Sequence, residues 1–592
     1  MEKSDMVRRR VAALRTWMRR QGIDAYLVPT SDPHHSEYIP DYWKCREWLT
    51  GFTGSAGLAV VTADEAALWT DSRYWLQAAE QLRDTPFVLM REGGEGVPAP
   101  AEWLKAAARG RDSFVTACPE EMLTVDMARE FGITANDYPD AFDQLWEARP
   151  FLPSRPIEVQ SPEWAGTDLT EKLRHVANLL HEATDAEQYL FNDLADIAWL
   201  LNLRGADIAY NPVFLAYLTY NLETGVYTLF THLDSLTPAA QQQLARAGVE
   251  LHHYDEALDT CAELATAYSG SAPSVVEEMG NRALVPSPVE ALRAVKNEAE
   301  IKGMREAMRR DGVAMVQFLR RLDDLLARGA RLTEMGVDEL LTGLRSGQPG
   351  FKELSFGTIA AYGPHGAVVH YEADRSTDVP LCREGLLLLD SGAQYDCGTT
   401  DITRTLALGP VGEEERRVYT LVLKGHLALA RLQFPAGAVG LQLDLAARQP
   451  LWAAGYDFGH GTGHGVGAHL CVHEGPHQIR KNLRACTLEP FRAGMVVTDE
   501  PGIYVAGRFG VRIENTLLCT EGPRTEYGEF LRFESLTLCP YDLRPVDRSL
   551  LTAEEMAQID EYHQQVADAL MPLLDEEADR EWLARATAPM AG

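Results

Sequence analysis

The chain lacks any excess of positive charge: over 592 residues its formal net charge is −32. A nucleic-acid partner requires a basic face to meet phosphates, so that class is set aside. The acidic balance by itself implies little beyond solubility. No apolar run approaches the roughly 20 residues that span a bilayer. The start, Met1-Glu2-Lys3-Ser4-Asp5, is polar and has no apolar signal core. The expectation is a cytoplasmic chain with no membrane partner. Nine cysteines are scattered without a C-x-x-C pair, which argues for reduced thiols over a disulfide frame or a zinc knuckle. Low-complexity tracts are missing too, and 46% hydrophobic residues suffice for several cores.

Apolar spacing predicts a helix over residues 6–21, followed by a strand at Ile23–Pro29. Gly57–Val61 and Ala66–Thr70 read as a strand pair around a polar turn. The loop Ser31–Glu37 carries His34 and His35, with no spaced partner, and is read as solvated. Pro150–Pro156 reads as a linker. Beyond it, Trp199-Leu200-Leu201-Asn202-Leu203-Arg204-Gly205 echoes Trp48-Leu49-Thr50-Gly51-Phe52-Thr53-Gly54. Both follow helical patterns and precede strand-like runs, so two related tandem domains are expected. From Glu298 to Leu326 the pattern is helical, and a second helix begins near Leu332. Thr552-Ala553-Glu554-Glu555 is a capping box before a closing amphipathic helix.

Between these helices lie five metal-competent side chains: Asp390, Asp401, His464, Glu500 and Glu514. Gly385-Leu386-Leu387-Leu388-Leu389 leads into Asp390, Met495–Asp499 into Glu500, and Val511-Arg512-Ile513 into Glu514. A carboxylate ending a buried strand is costly unless it is paired or bound to a cation. Two antiparallel strands joined by a turn would bring Asp390 and Asp401 together. Four carboxylates and one imidazole would neutralise two divalent ions. That oxygen-rich set suits Mn²⁺, with Zn²⁺ or Co²⁺ open. Two such ions, roughly 3.5–4 Å apart, can share a water and make it reactive at neutral pH. His460-Gly461-Thr462-Gly463-His464-Gly465-Val466-Gly467 is neither a G-x-G-x-x-G loop nor a zinc-protease helix, for which it holds too many glycines. It is read as a loop with one histidine on a metal and another beside substrate.

Asp390-Ser391-Gly392, Gly398-Thr399-Thr400-Asp401, His460–Gly467, Val472-His473-Glu474-Gly475-Pro476, Thr498-Asp499-Glu500-Pro501-Gly502 and Arg512-Ile513-Glu514-Asn515 resemble the motif set of Xaa-Pro aminopeptidases (aminopeptidase P). These belong to the pita-bread superfamily with prolidase, methionine aminopeptidase and creatinase. The blocks stand in the family's order. Asp32–Tyr38, Gly54–Gly57 and Asn202–Gly205 resemble the extra N-terminal domains of the three-domain form. The resemblance implies an α/β (α+β) chain: a pita-bread catalytic domain at 295–592, preceded by two related creatinase-N-terminal-like α/β domains at 1–149 and 150–294. It implies that Asp390 binds one metal, Asp401 and Glu514 bridge, and His464 and Glu500 complete the second metal's surroundings. Glu500 would also take a proton from the bridging water. His370, His460 and His473 match substrate-site histidines, and His460 and His473 would hold the scissile carbonyl or the proline ring. Arg512 matches a residue supporting the site. Asp396-Cys397 departs from the pattern and sets a thiol near the site.

Other readings stand beside these. His370 alone would be a core histidine, Arg404 and Arg512 could be ion-pair partners for the clustered acids, and Tyr395 and Tyr504 read as packing. The expected activity is hydrolysis of the first bond of peptides with proline second, a tertiary amide lacking an N–H. The rivals are a prolidase-like dipeptidase and a non-catalytic peptide-binding module. The resemblance also suggests a homodimer.

Overall fold

The computed structural model describes residues 3–111, 113–133, 138–261, 264–274, 276 and 283–590. Met1 and Glu2, part of the polar start, lie outside them. Two compact units are present: Met1–Gln160 with Thr167–Val289, and Ser161–Gly166 with Glu290–Gly592.

The first unit opens with α1 (Lys3–Gln21), whose buried Val7, Val11, Leu14, Trp17 and Met18 recur at helical spacing. Strands β1 (Ala25–Pro29), β2 (Leu58–Thr62), β3 (Ala66–Thr70), β4 (Val88–Arg91) and β5 (Thr116–Ala117) form one sheet with β1 and β2 inside it. β1, β2 and β3 pair antiparallel in succession, while β4 and β5 add parallel to β3 and β1. A second sheet repeats this plan. Its strands β6 (Gln188–Phe191), β7 (Ala216–Asn221), β8 (Tyr227–Thr231), β9 (Glu250–His253) and β10 (Thr266–Tyr268) pair with the same senses in the same positions, and β11 (Ala283–Leu284) extends its edge. Trp48 and Trp199 each lie in the helix before the second strand of their sheet, α2 (Cys45–Thr50) and α3 (Leu194–Leu200). The short sequence echo therefore marks a repeat of topology.

The Ser31–Glu37 loop is only partly solvated: His35 and Glu37 are exposed, as expected, but its first half is not. Asp32 and His34 are buried. His34 Nδ1 is 2.9 Å from the Asn192 carbonyl and Nε2 is 2.7 Å from the Tyr254 hydroxyl. Partners far along the chain supply the hydrogen bonds that water would otherwise give.

The second unit begins with α4 (Glu298–Ala327), capped by an Asn297–Glu300 capping box. α5 (Glu334–Ser346) starts one residue after its Thr333 cap. β13 (Leu386–Ser391) is the centre of an antiparallel sheet, between β12 (Ile359–Tyr362) and β14 (Ile402–Ala407). A six-stranded sheet runs in the order β15 (Gln433–Pro435), β22 (Gly528–Ser535), β21 (Asn515–Thr525), β18 (Val496–Asp499), β16 (Gly463–Gly465) and β17 (Glu474–Ile479). A separate hairpin joins β19 (Gly502–Val505) to β20 (Phe509–Arg512). α6 (Gly440–Ala453) precedes β16, and α7 (Ala553–Leu570), capped by Thr552 and Glu555, closes the core with buried Ile559, Tyr562, Val566 and Leu570.

The glycine-rich stretch is not wholly a loop. Gly463-His464-Gly465 is a strand inside the six-stranded sheet. A Cβ on Gly463 would lie 1.9 Å from the Thr498 carbonyl oxygen, and one on Gly465 would lie 2.2 Å from that of Glu474. Glycine is required for that approach, and it sets His464 on a rigid element. Among the described residues, no helix is long and apolar enough to cross a membrane.

Candidate metal centre

Strand pairing carries the four acids and the imidazole toward one place. Asp390 lies opposite Thr403 across β13 and β14, and Asp401 immediately precedes β14. The connection between them is itself a small antiparallel pair, Ala393–Tyr395 with Gly398–Thr399, rather than a simple turn. Glu514 bridges to Thr403: its N–H donates to the Thr403 carbonyl (3.0 Å), and the Thr403 hydroxyl donates to Glu514 Oε2 (2.7 Å). Glu500 N–H donates to the Thr462 carbonyl (2.8 Å), which ties it to the strand of His464. His464 Nδ1 donates to the Gly465 carbonyl (2.9 Å). That leaves Nε2 facing Asp401 Oδ2 at 3.4 Å and Glu500 Oε1 at 3.8 Å. Ligand atoms of Asp401, His464 and Glu514 all fall within 4.8 Å of one another.

Arg512 also stands against these acids. Arg512 donates from Nη2 (2.7 Å) and Nε (3.1 Å) to Asp390 Oδ2, and from Nη1 to the Tyr504 hydroxyl (2.6 Å). Asp390 Oδ1 is buried with no hydrogen-bond partner among the described residues. Burial raises Glu514 far above the usual carboxylate range, and the charges of Asp401, Asp390 and Glu500 push it the same way. Burial also lifts Glu500 to about 7, against the pull of His464 and Arg512. Asp390 is raised by burial, with Arg512 opposing and Asp401 adding to it. For His464, burial favours the neutral ring, but the hydrogen bond to Asp401 and the charges of Glu500 and Asp401 outweigh it and raise the group to about 9. Clustered carboxylates short of counter-charge, with one orphaned oxygen, are a donor set completed by cations. Four oxygen donors with one imidazole fit hard or borderline divalent ions.

Residues 302–521 match the metallopeptidase family M24, and residues 529–590 match the C-terminal region of that peptidase. Residues 10–132 and 148–300 each match a creatinase/prolidase N-terminal domain. Aminopeptidase P2 of Arabidopsis thaliana is 37% identical over 96% of this chain and 86% of its own length. The chain belongs to the aminopeptidase P family.

Other aminopeptidase P relatives extend the likeness. A probable Xaa-Pro aminopeptidase P of Sordaria macrospora is 38% identical over 98% of this chain and 99% of its own length. The X-prolyl aminopeptidase of Caenorhabditis elegans, described as a cytosolic enzyme with a di-nuclear active site, superposes with a TM-score of 0.93 at 33% identity, covering 99% of this chain and 100% of that one. The fold is that of the family: two creatinase-like N-terminal α/β domains and a C-terminal pita-bread domain.

Around this aminopeptidase P centre the three further histidines take different places. The His473 ring stands edge-on to His464 with centroids 4.3 Å apart. His460 Nδ1 lies 2.7 Å from the Gly461 carbonyl and 3.9 Å from Glu500 Oε2, and Nε2 lies 2.8 Å from the Tyr504 hydroxyl. His370 is half-buried, and the carbonyl before it, of Val369, accepts from Arg512 at 3.3 Å.

Several expectations need correction. Tyr504 is not only packing: its hydroxyl joins Arg512 to His460. Arg404 is not an ion-pair partner of the acids. It is buried and donates to the Glu514, Cys539 and Pro540 carbonyls, fixing backbone behind the site. Cys397 is buried among Ala307, Ala393 and Tyr395 and its thiol is pushed up to about 12 by burial, so it stays protonated and inert. Glu474, beside His473, was missed. It is fully buried and ion-paired to Arg293 (3.0 Å) and Lys296. Its place next to a motif histidine was the only signal in the sequence. Thr403 was missed too, although it follows Asp401 in the strand register that a metal-site hairpin requires.

Proposed function

We propose that this chain is a metal-dependent aminopeptidase that hydrolyses the first peptide bond of peptides with proline second. The convergence of Asp401, His464 and Glu514 within 4.8 Å, with the orphaned oxygen of Asp390 beside them, carries the reading. Asp390, Asp401, His464, Glu500 and Glu514 would hold two divalent ions, with Asp390 on one, His464 and Glu500 on the other, and Asp401 and Glu514 serving both. Mn²⁺ is the preferred ion, with Zn²⁺ and Co²⁺ as substitutes. When bound, such ions polarise a carbonyl and make water acidic enough to attack at neutral pH.

The chain's own residues do the rest. Arg512 holds Asp390 by Oδ2 and so fixes which oxygen is offered to a cation. Glu500, beside His464 and within reach of His460, would take a proton from the attacking water and return it to the departing amine. His370, His460 and His473 position the substrate, with His460 and His473 nearest the carbonyl and the proline ring. The acidic surroundings receive the free α-amino group, and this confines cleavage to the N-terminus.

Three domains, at 1–149, 150–294 and 295–592, organise the chain. The two sheets of like topology and the bounds of the family matches support that division. Exposed apolar residues support a homodimer: Leu445 and Trp452 on one face of α6, with Leu483 and Leu488 exposed as well. The nematode relative, a cytosolic enzyme, supports a cytoplasmic setting.

Release of arginine from Arg-Pro-Pro by protein stripped of metal and reloaded with Mn²⁺ tests the reading. No release with Mn²⁺, Zn²⁺ or Co²⁺ overturns it.

A further inference from the structure

We propose that Glu334 is a positioning residue that sets the backbone and ring of His370 through Tyr371, His365 and Tyr362. This rests on His370 being a substrate-site histidine, as above.

Glu334 is the first residue of α5, and its carboxylate is completely buried. Among the described residues no Lys or Arg pairs with it. Instead, three donors from a single segment converge on it. The Tyr362 N–H donates to Oε1 at 2.7 Å. His365 Nδ1 lies 2.9 and 3.0 Å from Oε1 and Oε2. The Tyr371 hydroxyl donates to Oε2 at 2.8 Å. The His365 and Tyr371 rings stack at 4.4 Å, which closes the segment on itself. A buried carboxylate satisfied by three donors is a strong point of attachment.

The opposite side of the segment is also fixed. Gly366 and Gly510 approach so closely that a Cβ on Gly510 would meet the Gly366 oxygen at 1.7 Å. Val369 is held through its carbonyl by Arg512. His370 thus lies between two tethered neighbours: Val369 on the arginine that grips Asp390, and Tyr371 on Glu334. Tyr362 ends β12, whose other end pairs Ile359 with Asp390. Glu334 therefore references His370 to the same strand that carries a metal-binding acid. An error of about 1 Å in such a placement can cost a factor of about 100 in rate.

The test uses the full-length enzyme loaded with Mn²⁺ and Arg-Pro-Pro as substrate, with metal content and melting temperature measured for every variant. Tyr371→Phe removes one donor and keeps the ring. It should lower kcat/KM about tenfold, and Glu334→Gln about 10- to 100-fold, with two metals still bound. His365→Asn, which retains a donor near the Nδ1 position, should recover most of what His365→Ala loses. The deciding measurement is a double-mutant cycle with His370→Ala. If Glu334 acts through His370, adding Tyr371→Phe or Glu334→Gln to His370→Ala should change kcat/KM by less than about twofold. Full additivity, or wild-type activity in both Tyr371→Phe and Glu334→Gln, overturns the proposal. Should Glu334→Gln fail to fold, Tyr371→Phe and the His365 pair carry the cycle. A His370→Ala variant with wild-type kinetics instead overturns the assignment of His370 itself.

Discussion

Metal loading should expel protons from the acid cluster. In stripped protein, burial and three neighbouring carboxylates push Glu514 toward its protonated form. Glu500, raised to about 7, is half protonated. His464, raised to about 9, is an imidazolium. A cation requires all three in their deprotonated forms, so loading should release roughly two to three protons per chain. Apparent affinity should then rise by about two to three log units per pH unit near neutrality. Calorimetric titration of Mn²⁺ into stripped protein, in buffers of different ionisation enthalpy, reads the number directly as the slope of observed against buffer enthalpy. Glu514→Gln should lower that slope by about one. A slope below about one proton in the parent, or no change in the variant, refutes the assignment of this cluster as the metal site. The same groups make the stripped protein pH-sensitive. Unfolded Glu titrates near about 4.3 and His near about 6.5. Their contribution to stability is full below those values and is lost as pH rises through about 7 for Glu500 and about 9 for His464. Stripped protein should melt lower at about pH 8.5 than at about pH 6, and loading should close the gap.

Arg512→Met leaves Asp390 buried without its cation and should cost about 3–5 kcal/mol of stability, read by denaturant unfolding of stripped protein. Tyr504→Phe removes the hydroxyl shared by His460 and Arg512, and should lower kcat about tenfold with metal content unchanged in elemental analysis. Gly463→Ala places a methyl on the Thr498 carbonyl, so β16 must shift and Mn²⁺ affinity measured by calorimetry should fall at least tenfold. Leu445→Glu with Leu483→Glu places charge on the apolar surface beside α6, and sedimentation should then report a monomer.

Asp390, Glu500 and Glu514 were legible because each stands at or just past the end of an apolar strand, where the desolvation cost of a carboxylate is hardest to explain away, and Asp401 through its short spacing from Asp390. The helices were legible for the equally local reason that caps and apolar spacing are written within a few residues. Burial of His34 was not, because its partners Asn192 and Tyr254 lie far along the chain and nothing near the loop announces them. Tyr504 looked like packing for the same reason: its hydroxyl matters only once the β19–β20 hairpin brings it to Arg512 and the loop leading into β16 brings His460. The strand at Gly463-His464-Gly465 was hidden by its glycines, which argue for a loop until the carbonyls pressed against them are seen. Glu334 gave no local sign either, since a helix-starting glutamate is ordinarily solvated.

Tyr504 has one hydrogen and two polar neighbours. Arg512 can only give, so the phenol oxygen receives from Nη1, while His460 Nε2 lies 2.8 Å from the same oxygen. The other arm of that guanidinium grips Asp390 Oδ2. One phenol thus couples a histidine of the glycine-rich loop to the acid at the end of β13, so a disturbance at either end is felt at the other.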